Sequence, residues 1–515
     1  MRLLKFRSLC IVLSLSAVLC LSGCGRAQSV PTETAALPTE TEPAVTEETV
    51  PTETDPRNLV EELTIVVTEE DIGQLEEYPN LKQVDLSGST CYAAITAYME
   101  AHPEVKVTYS VSFGSYTVGN TENEITLGAG SFEYAALLEN LAYLPELVTI
   151  HLPQTTLTAE EMILLMETYP SLEFTYTVNL LGTEYSMDTE TLDLSFLTPA
   201  QAAEAAPALG LLFELDYVEL MTSGNQSKLS KSDVKLLVDA APNANFHYNF
   251  YLFGKSISTT DETVVFKNYN IGNDREGEIR EALDIMTGCT TFTLDNCKLS
   301  NTVLATLRDD YRDKGIKVVW RIYFGEYGKY NALTNTEKIR AVYNVSDENS
   351  GDLMYCEDVK YIDMGHNDTM TNLSFVGHMP KLEILIASGC GVTDLSGIEN
   401  CKNLEFLELA YCSYLKDLTP LRGCESLKYL NISYTGVSDL MPLDGLPLER
   451  FVCLSPKVYY TEQEIFMQLH PDCWTRFLGS QPYGIGWRYD DNGVTYSEIY
   501  LKIREIFGYD DMPVE

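Results

Sequence analysis

In the stretch LEFLELAYCSYL, Leu404 to Leu415, Cys412 stands among apolar residues whose spacing is neither cleanly helical nor a clean strand alternation. A thiol in such a place can be a nucleophile, a metal ligand, half of a disulfide or a small buried group. The other residues with chemical potential narrow the choice. The six histidines form no HExxH, HxH or Cys/His arrangement, and neither a GxSxG nor a P-loop pattern occurs. There is no CxxC pair, so thiol-bound metal is not expected. Asp490-Asp491 and Asp510-Asp511 are carboxylate doublets in a very acidic chain, where they read as solvated surface. YDDNG lacks the alternating ligands of a calcium loop. No catalytic set, metal or cofactor is therefore expected, and a wall-associated hydrolase would need a conjunction of residues that the sequence does not offer.

The elements that position these residues come in a chain of 515 residues with net charge −41. Such a field repels nucleic acid and anionic membrane surfaces. Arg2, Lys5 and Arg7 precede an apolar run from Ile11 to Leu21 that is too short to span a bilayer, followed by LSGC. The start looks like a secretory signal, and LSGC resembles the bacterial lipoprotein box. That resemblance implies a signal peptide over 1–23, a lipid on the thiol of Cys24, and an extracytoplasmic protein that meets the cell membrane through its anchor only. Residues 24–58 contain PTET three times and many carboxylates; they are expected to be a disordered spacer.

Beyond the spacer a repeat dominates. Val359-Ile362-Met364, Leu382-Leu385-Ala387, Leu404-Leu407-Leu409, Leu427-Leu430-Ile432 and Leu448-Phe451-Cys453 share one strand grammar. The first four are followed by TNLSFV, TDLSGI, KDLTPL and SDLMPL, where Asn372, Asp394, Asp417 and Asp439 can cap a tight turn. These two columns resemble the internalin-like type of leucine-rich repeat, assigned to 351–454. Over 59–350 the same grammar returns at longer intervals, at Leu81, Leu147, Leu215 and Cys289, with helix-like runs whose Pro103, Pro170 and Pro242 each stand six residues before a tyrosine. Each long unit reads as strand, helix, strand, hairpin-like insert and helix. This resembles the ribonuclease-inhibitor style of repeat more weakly, and irregular α/β repeats of another kind stay open. The expected fold class is α/β, a leucine-rich-repeat solenoid (a parallel-strand horseshoe), with 455–515 as a C-terminal cap.

The resemblance implies roles for two sets of residues. Ser89, Thr155, Ser223, Cys297, Asn367, Cys390, Cys412 and Thr435 stand where the chain leaves each strand, a position whose side chain bonds to backbone groups of the adjacent coil. Cys412 is then a structural ladder residue with a free, buried thiol, while Cys401 and Cys424 read as apolar packing groups. The concave face is the default binding surface for a protein or glycan partner. Its expected ligand-binding residues are Tyr361, Asp363, His366, Phe406, Glu408, Tyr411, Tyr429, Asn431, Tyr434 and Arg450, with Tyr361, Phe406 and Tyr429 forming an exposed stripe. Plainer upstream equivalents are Gln83, Asp85, Thr149, His151, Tyr217, Glu219 and Thr291. An extracytoplasmic solute-binding lipoprotein is the competing reading, and would show two non-repetitive lobes about a hinge.

Overall fold

The computed structural model describes residues 55–509. Cys24, the signal segment and most of the spacer lie outside the described residues, as do 510–515. The chain divides into two units, Met1–Val60 and Glu61–Glu515. Of the first, the described part is a 3-10 turn at Pro56–Leu59, entered by the Asp55 carboxylate accepting from the Arg57 amide at 3.0 Å.

The second unit is a succession of short parallel strands, each with its central residue turned inward. The registers run Leu63–Val84–Val107, Ile125–Ile150–Phe174, Leu192–Val218–Phe246 and Val264–Phe292–Val318. They continue through Ile339, Ile362, Leu385, Leu407, Leu430 and Phe451 to Thr475 in a seven-stranded sheet. Because side chains alternate along a strand, burying the centre sends both flanking residues to the opposite face. From Ile125 to Phe451 these central residues are all buried.

Each long upstream unit proves to be three coils rather than two. After the hairpin comes a strand that the sequence reading did not place: Glu124–Thr126, Thr191–Asp193, Thr263–Lys267 and Lys338–Arg340. In three of the four, a lone apolar residue stands between polar ones, too weak a pattern to separate from a loop. The hairpins, such as Asn249–Leu252 with Lys255–Ser258, are antiparallel insertions at the exit of every third strand.

Helices cover the far side of the upstream coils. Ala159–Thr168 and Lys231–Ala240 start with capping boxes, Thr158 with Glu161 and Ser230 with Asp233. The tyrosines six residues past Pro103, Pro170 and Pro242 are buried, and their hydroxyls donate to carbonyls of other segments: Tyr109 to Tyr143 (2.6 Å), Tyr176 to Leu211 (2.7 Å) and Tyr248 to Leu229 (2.8 Å). Between Gly351 and Leu443 the helices shrink to 3-10 turns, as at Thr419–Gly423. The turn residues Asn372, Asp394, Asp417 and Asp439 each accept from the amide two residues on, at 3.2, 2.9, 2.8 and 2.9 Å.

The C-terminal region does two things, and only one is capping. Helix Tyr460–Leu469 and strand Trp474–Arg476 add a last coil, with the Phe466 ring 4.4 Å from Phe451. Residues 482–509 do not stack on the end of the solenoid. They turn back across the strand face, ending in helix Glu498–Phe507. An amphipathic run specifies one apolar stripe, but not which surface receives it.

Candidate binding face

On the strands from Lys338–Arg340 to Trp474–Arg476, the outward positions meet the chain's own C-terminal segment. Ile384, Ile386, Phe406, Val452, Leu454, Trp487, Ile503 and Phe507 form one buried cluster, with Tyr361, Tyr429, Tyr434 and Tyr500 packed against it. Phe406 is 2% exposed, and Trp487 lies over it with ring centroids 4.7 Å apart. The expectation of an exposed aromatic stripe is therefore corrected: Phe406 is buried, and Tyr361 and Tyr429 are half-covered. Asp363, Glu408 and Asn431, expected to orient a ligand, are buried too. Their partners are internal. Asp363 accepts from the Tyr509 hydroxyl at 2.7 Å and from Arg340 at 3.3 Å. Asn431 donates to the Pro482 carbonyl at 3.0 Å, and Arg450 pairs with Asp491 at 2.7 Å.

Glu408 is the most unusual group here. It accepts from the Ser388 hydroxyl at 2.8 Å and from the Trp487 indole N–H. Burial pushes its carboxyl above the usual range, against the pull of Arg488 and of these two donors, while Asp363 adds to the rise. Arg488 in turn lies 4.3 Å from the Tyr483 ring centroid and 5.3 Å from that of Tyr500.

The strand-exit residues differ among themselves. Cys412 donates its thiol to the Ala387 carbonyl one coil back, at 3.2 Å; Cys390 does the same to Met364 at 3.1 Å and Cys297 to Phe266 at 3.3 Å. Asn367 accepts from the Val345 amide and donates to Ala341, and Ser89 accepts from the Val67 amide. Thr155 and Thr435 bond locally, with the Leu157 amide and the Ile432 carbonyl. Ser223 is exposed, because the chain there closes a separate turn between Thr222 and Gln226; it is not a ladder residue. Cys401 and Cys424, expected only to pack, also donate to the preceding coil, at Val376 and Ile398, both 3.3 Å. All ten described cysteines are free, and burial raises the Cys390, Cys401, Cys412 and Cys424 thiols to about 12. A thiol so hard to ionise is a poor nucleophile.

One column escaped the sequence reading. Three residues beyond the outward strand position nearest the exit, the backbone adopts a left-handed conformation at Gln154, Asn268, Asn296, Tyr343, His366, Gly389, Tyr411 and Tyr434. Gly and Asn are ordinary there, but aromatic residues are strained. Tyr343 stacks on His366 at 5.4 Å and Tyr411 on Tyr434 at 4.9 Å, making an aromatic rim in which His366 and Tyr411 stay exposed.

Upstream, the outward strand positions are more open, except at the last upstream coil, where Thr293, Asp295 and Val319 are buried. Gln83 is exposed, and Asp85, Thr149, His151, Tyr217, Glu219 and Thr291 are half-exposed. Side chains there pair across strands: His151 lies 2.7 Å from Glu124 and 2.5 Å from Thr175. His247 lies 2.9 Å from Glu219, which also accepts from Tyr217. Arg321 grips Asp295 with two hydrogen bonds of 2.8 and 3.0 Å and holds that carboxyl below its usual range. Among the described residues no cluster of three His, Cys, Asp or Glu is placed to hold a metal, and no helix is long and apolar enough to cross a membrane.

Residues 380–423 match the family model of leucine-rich repeats, in two copies. The fold is a leucine-rich-repeat solenoid. Similar solved structures include a leucine-rich-repeat protein of Leptospira interrogans, 16% identical, covering 82% of this chain and 97% of that one with a TM-score of 0.28. An internalin of Listeria monocytogenes, InlF, is also 16% identical, covering 71% and 86% with a TM-score of 0.23. Comparison with curated proteins finds no match.

Proposed function

We propose that this chain is a membrane-tethered, extracytoplasmic recognition scaffold that binds a protein partner on the open strand face of its upstream coils, between Gln83 and Arg321. The observation that carries this reading is the contrast between the two halves of one solenoid. Downstream, the outward strand positions are sealed by the chain's own C-terminal segment; upstream, the equivalent positions from Gln83 to Thr291 are exposed or half-exposed, and only at the last upstream coil are Thr293, Asp295 and Val319 buried. A parallel array of short strands presents rows of side chains at a fixed spacing of about 5 Å, a rigid surface suited to protein recognition. The rows carry preformed polar pairs, such as the charged pair of Arg321 with Asp295 and the hydrogen-bonded His247 with Glu219, which orient a partner and reject a mismatched one. The site residues named from sequence that remain exposed, His366 and Tyr411, stand on the aromatic rim and extend this surface only along it.

The anchor is part of the proposal, and rests on LSGC after a charged, apolar start. Two experiments test the reading. Cys24→Ala should move the protein from the detergent to the aqueous phase; retention in detergent removes the anchor from Cys24. Affinity capture from envelope or host extracts with 58–515 should then be compared with the variant Thr149→Arg/Tyr217→Ala. Loss of a captured protein in that variant supports the open face, and undiminished capture rejects it. Capture of polysaccharide alone would replace the protein partner by a glycan.

A further inference from the structure

The segment over the downstream coils has the make-up of a bound partner rather than of a core. Each coil beneath it is complete without it: Ile362, Leu385, Leu407 and Leu430 are fully buried on the other side of the sheet. Its attachments are side-chain contacts of the kind that dominate interfaces between separate chains, rich in Tyr, Trp and Arg. Tyr509 reaches Asp363, with the Arg340 guanidinium 5.3 Å from its ring. Lys502 lies 3.7 Å from Glu383, and Lys338 donates to the Ile506 carbonyl at 2.6 Å, a cation at a helix C-terminus. The segment joins the last coil through exposed residues 478–481, in which Leu478 is 82% exposed and Gly479 has φ +129.

We infer that residues 482–509 are a detachable strap: an internal peptide ligand that occupies a second binding face, whose external ligand is an amphipathic helical peptide carrying aromatic residues and a basic flank. The face has the parts such a helix needs. Phe406, Ile384 and Ile386 form an apolar floor, and Glu383 and Asp363 lie where a lysine and a tyrosine hydroxyl dock. Glu408 adds a reason for release. A buried carboxyl is costly to keep under cover, and exposing the face returns it to water. While the strap is down, a like peptide competes with an intramolecular ligand at high effective concentration and binds weakly.

The test uses the full chain with a specific protease site inserted between Gly479 and Ser480, and a fluorescein-labelled synthetic peptide of residues 482–509 as probe. Before cleavage the probe should bind at least tenfold more weakly than after it. After cleavage it should bind saturably, be displaced by unlabelled peptide, and lose at least tenfold in affinity when it carries Trp487→Ala and Ile503→Ala. A cleaved chain that binds no probe, or binds the doubly substituted probe equally well, overturns the proposal. Hydrogen exchange on the uncut chain gives a second reading: amides of Glu498–Phe507 should exchange through an opening that leaves Phe406–Glu408 and Tyr429–Asn431 protected. Exchange of strap and coils as one unit overturns it as well.

Discussion

Trp487 stacks on Phe406 with ring centroids 4.7 Å apart, while its indole N–H donates to the carboxylate of Glu408 two residues along the same strand. One side chain thus seals the apolar and the ionisable part of the concave face together. Phe406→Ala should cost about 3–5 kcal/mol in chemical denaturation, as for other large buried aromatic truncations. A cost under about 0.5 kcal/mol, the level of exposed sites, would mean that Phe406 is uncovered.

Glu408 gives the covered arrangement a pH dependence of defined sign. Its carboxyl is raised in the covered state, so the covered state holds the proton more tightly than the open one. The contribution is full below the ordinary carboxyl value, near about 4.3, and is lost as pH rises through the raised one. Protection of the Trp487 indole from solvent exchange should therefore fall as pH rises above the ordinary carboxyl range and through the raised value. Glu408→Gln, which stays neutral, should flatten the profile. A profile that rises with pH, or one unchanged by the substitution, contradicts this.

Cys412 makes a simpler prediction. Its thiol donates to Ala387 in a fully buried turn, so Cys412→Thr, which keeps a donor of similar size, should change stability little. Cys412→Leu loses the bond and overfills the turn, and should cost on the order of 1–3 kcal/mol. Equal denaturation midpoints for the parent and the Leu variant would remove Cys412 from the ladder.

The coils also constrain a glycine. A Cβ at Gly423 would stand 2.4 Å from the Glu399 carbonyl oxygen of the preceding coil, and backbone cannot swing away as a side chain can. Gly423→Ala should destabilise by about 1–3 kcal/mol or more through forced separation of the coils, measured by thermal unfolding. Gly445→Ala is the control: no atom lies within 4 Å of its Cβ, so only the cost of its left-handed φ of +81 remains. Equal losses at the two sites would argue against close coil stacking at Gly423.

Much of this solenoid was legible because one inward residue per strand and one turn residue per coil repeat in register, as Leu385 with Asp394 and Leu430 with Asp439 do. The ladder was legible at Cys412 but misread at Ser223, where an inserted turn moves the residue into solvent. Strands such as Glu124–Thr126 were missed because a single buried isoleucine carries no periodicity. The larger error concerned the face. Tyr361, Phe406 and Tyr429 do share one strand column, but nothing local in a sequence says that a helix far along the chain, Glu498–Phe507, will lie on it. The left-handed column was hidden for a related reason: Tyr411 and Tyr434 give no sign of their backbone angles, whereas Gly389 and Asn296 in the same column do.

The occupied face is read most directly from Trp487. In a chain carrying Trp320→Phe and Trp474→Phe, the remaining indole is 2% exposed in the covered arrangement. Its emission should be blue-shifted and its quenching by iodide several-fold weaker than that of a free peptide of residues 482–509. Red-shifted emission quenched as strongly as in the free peptide would show an open concave face, and would contradict the account.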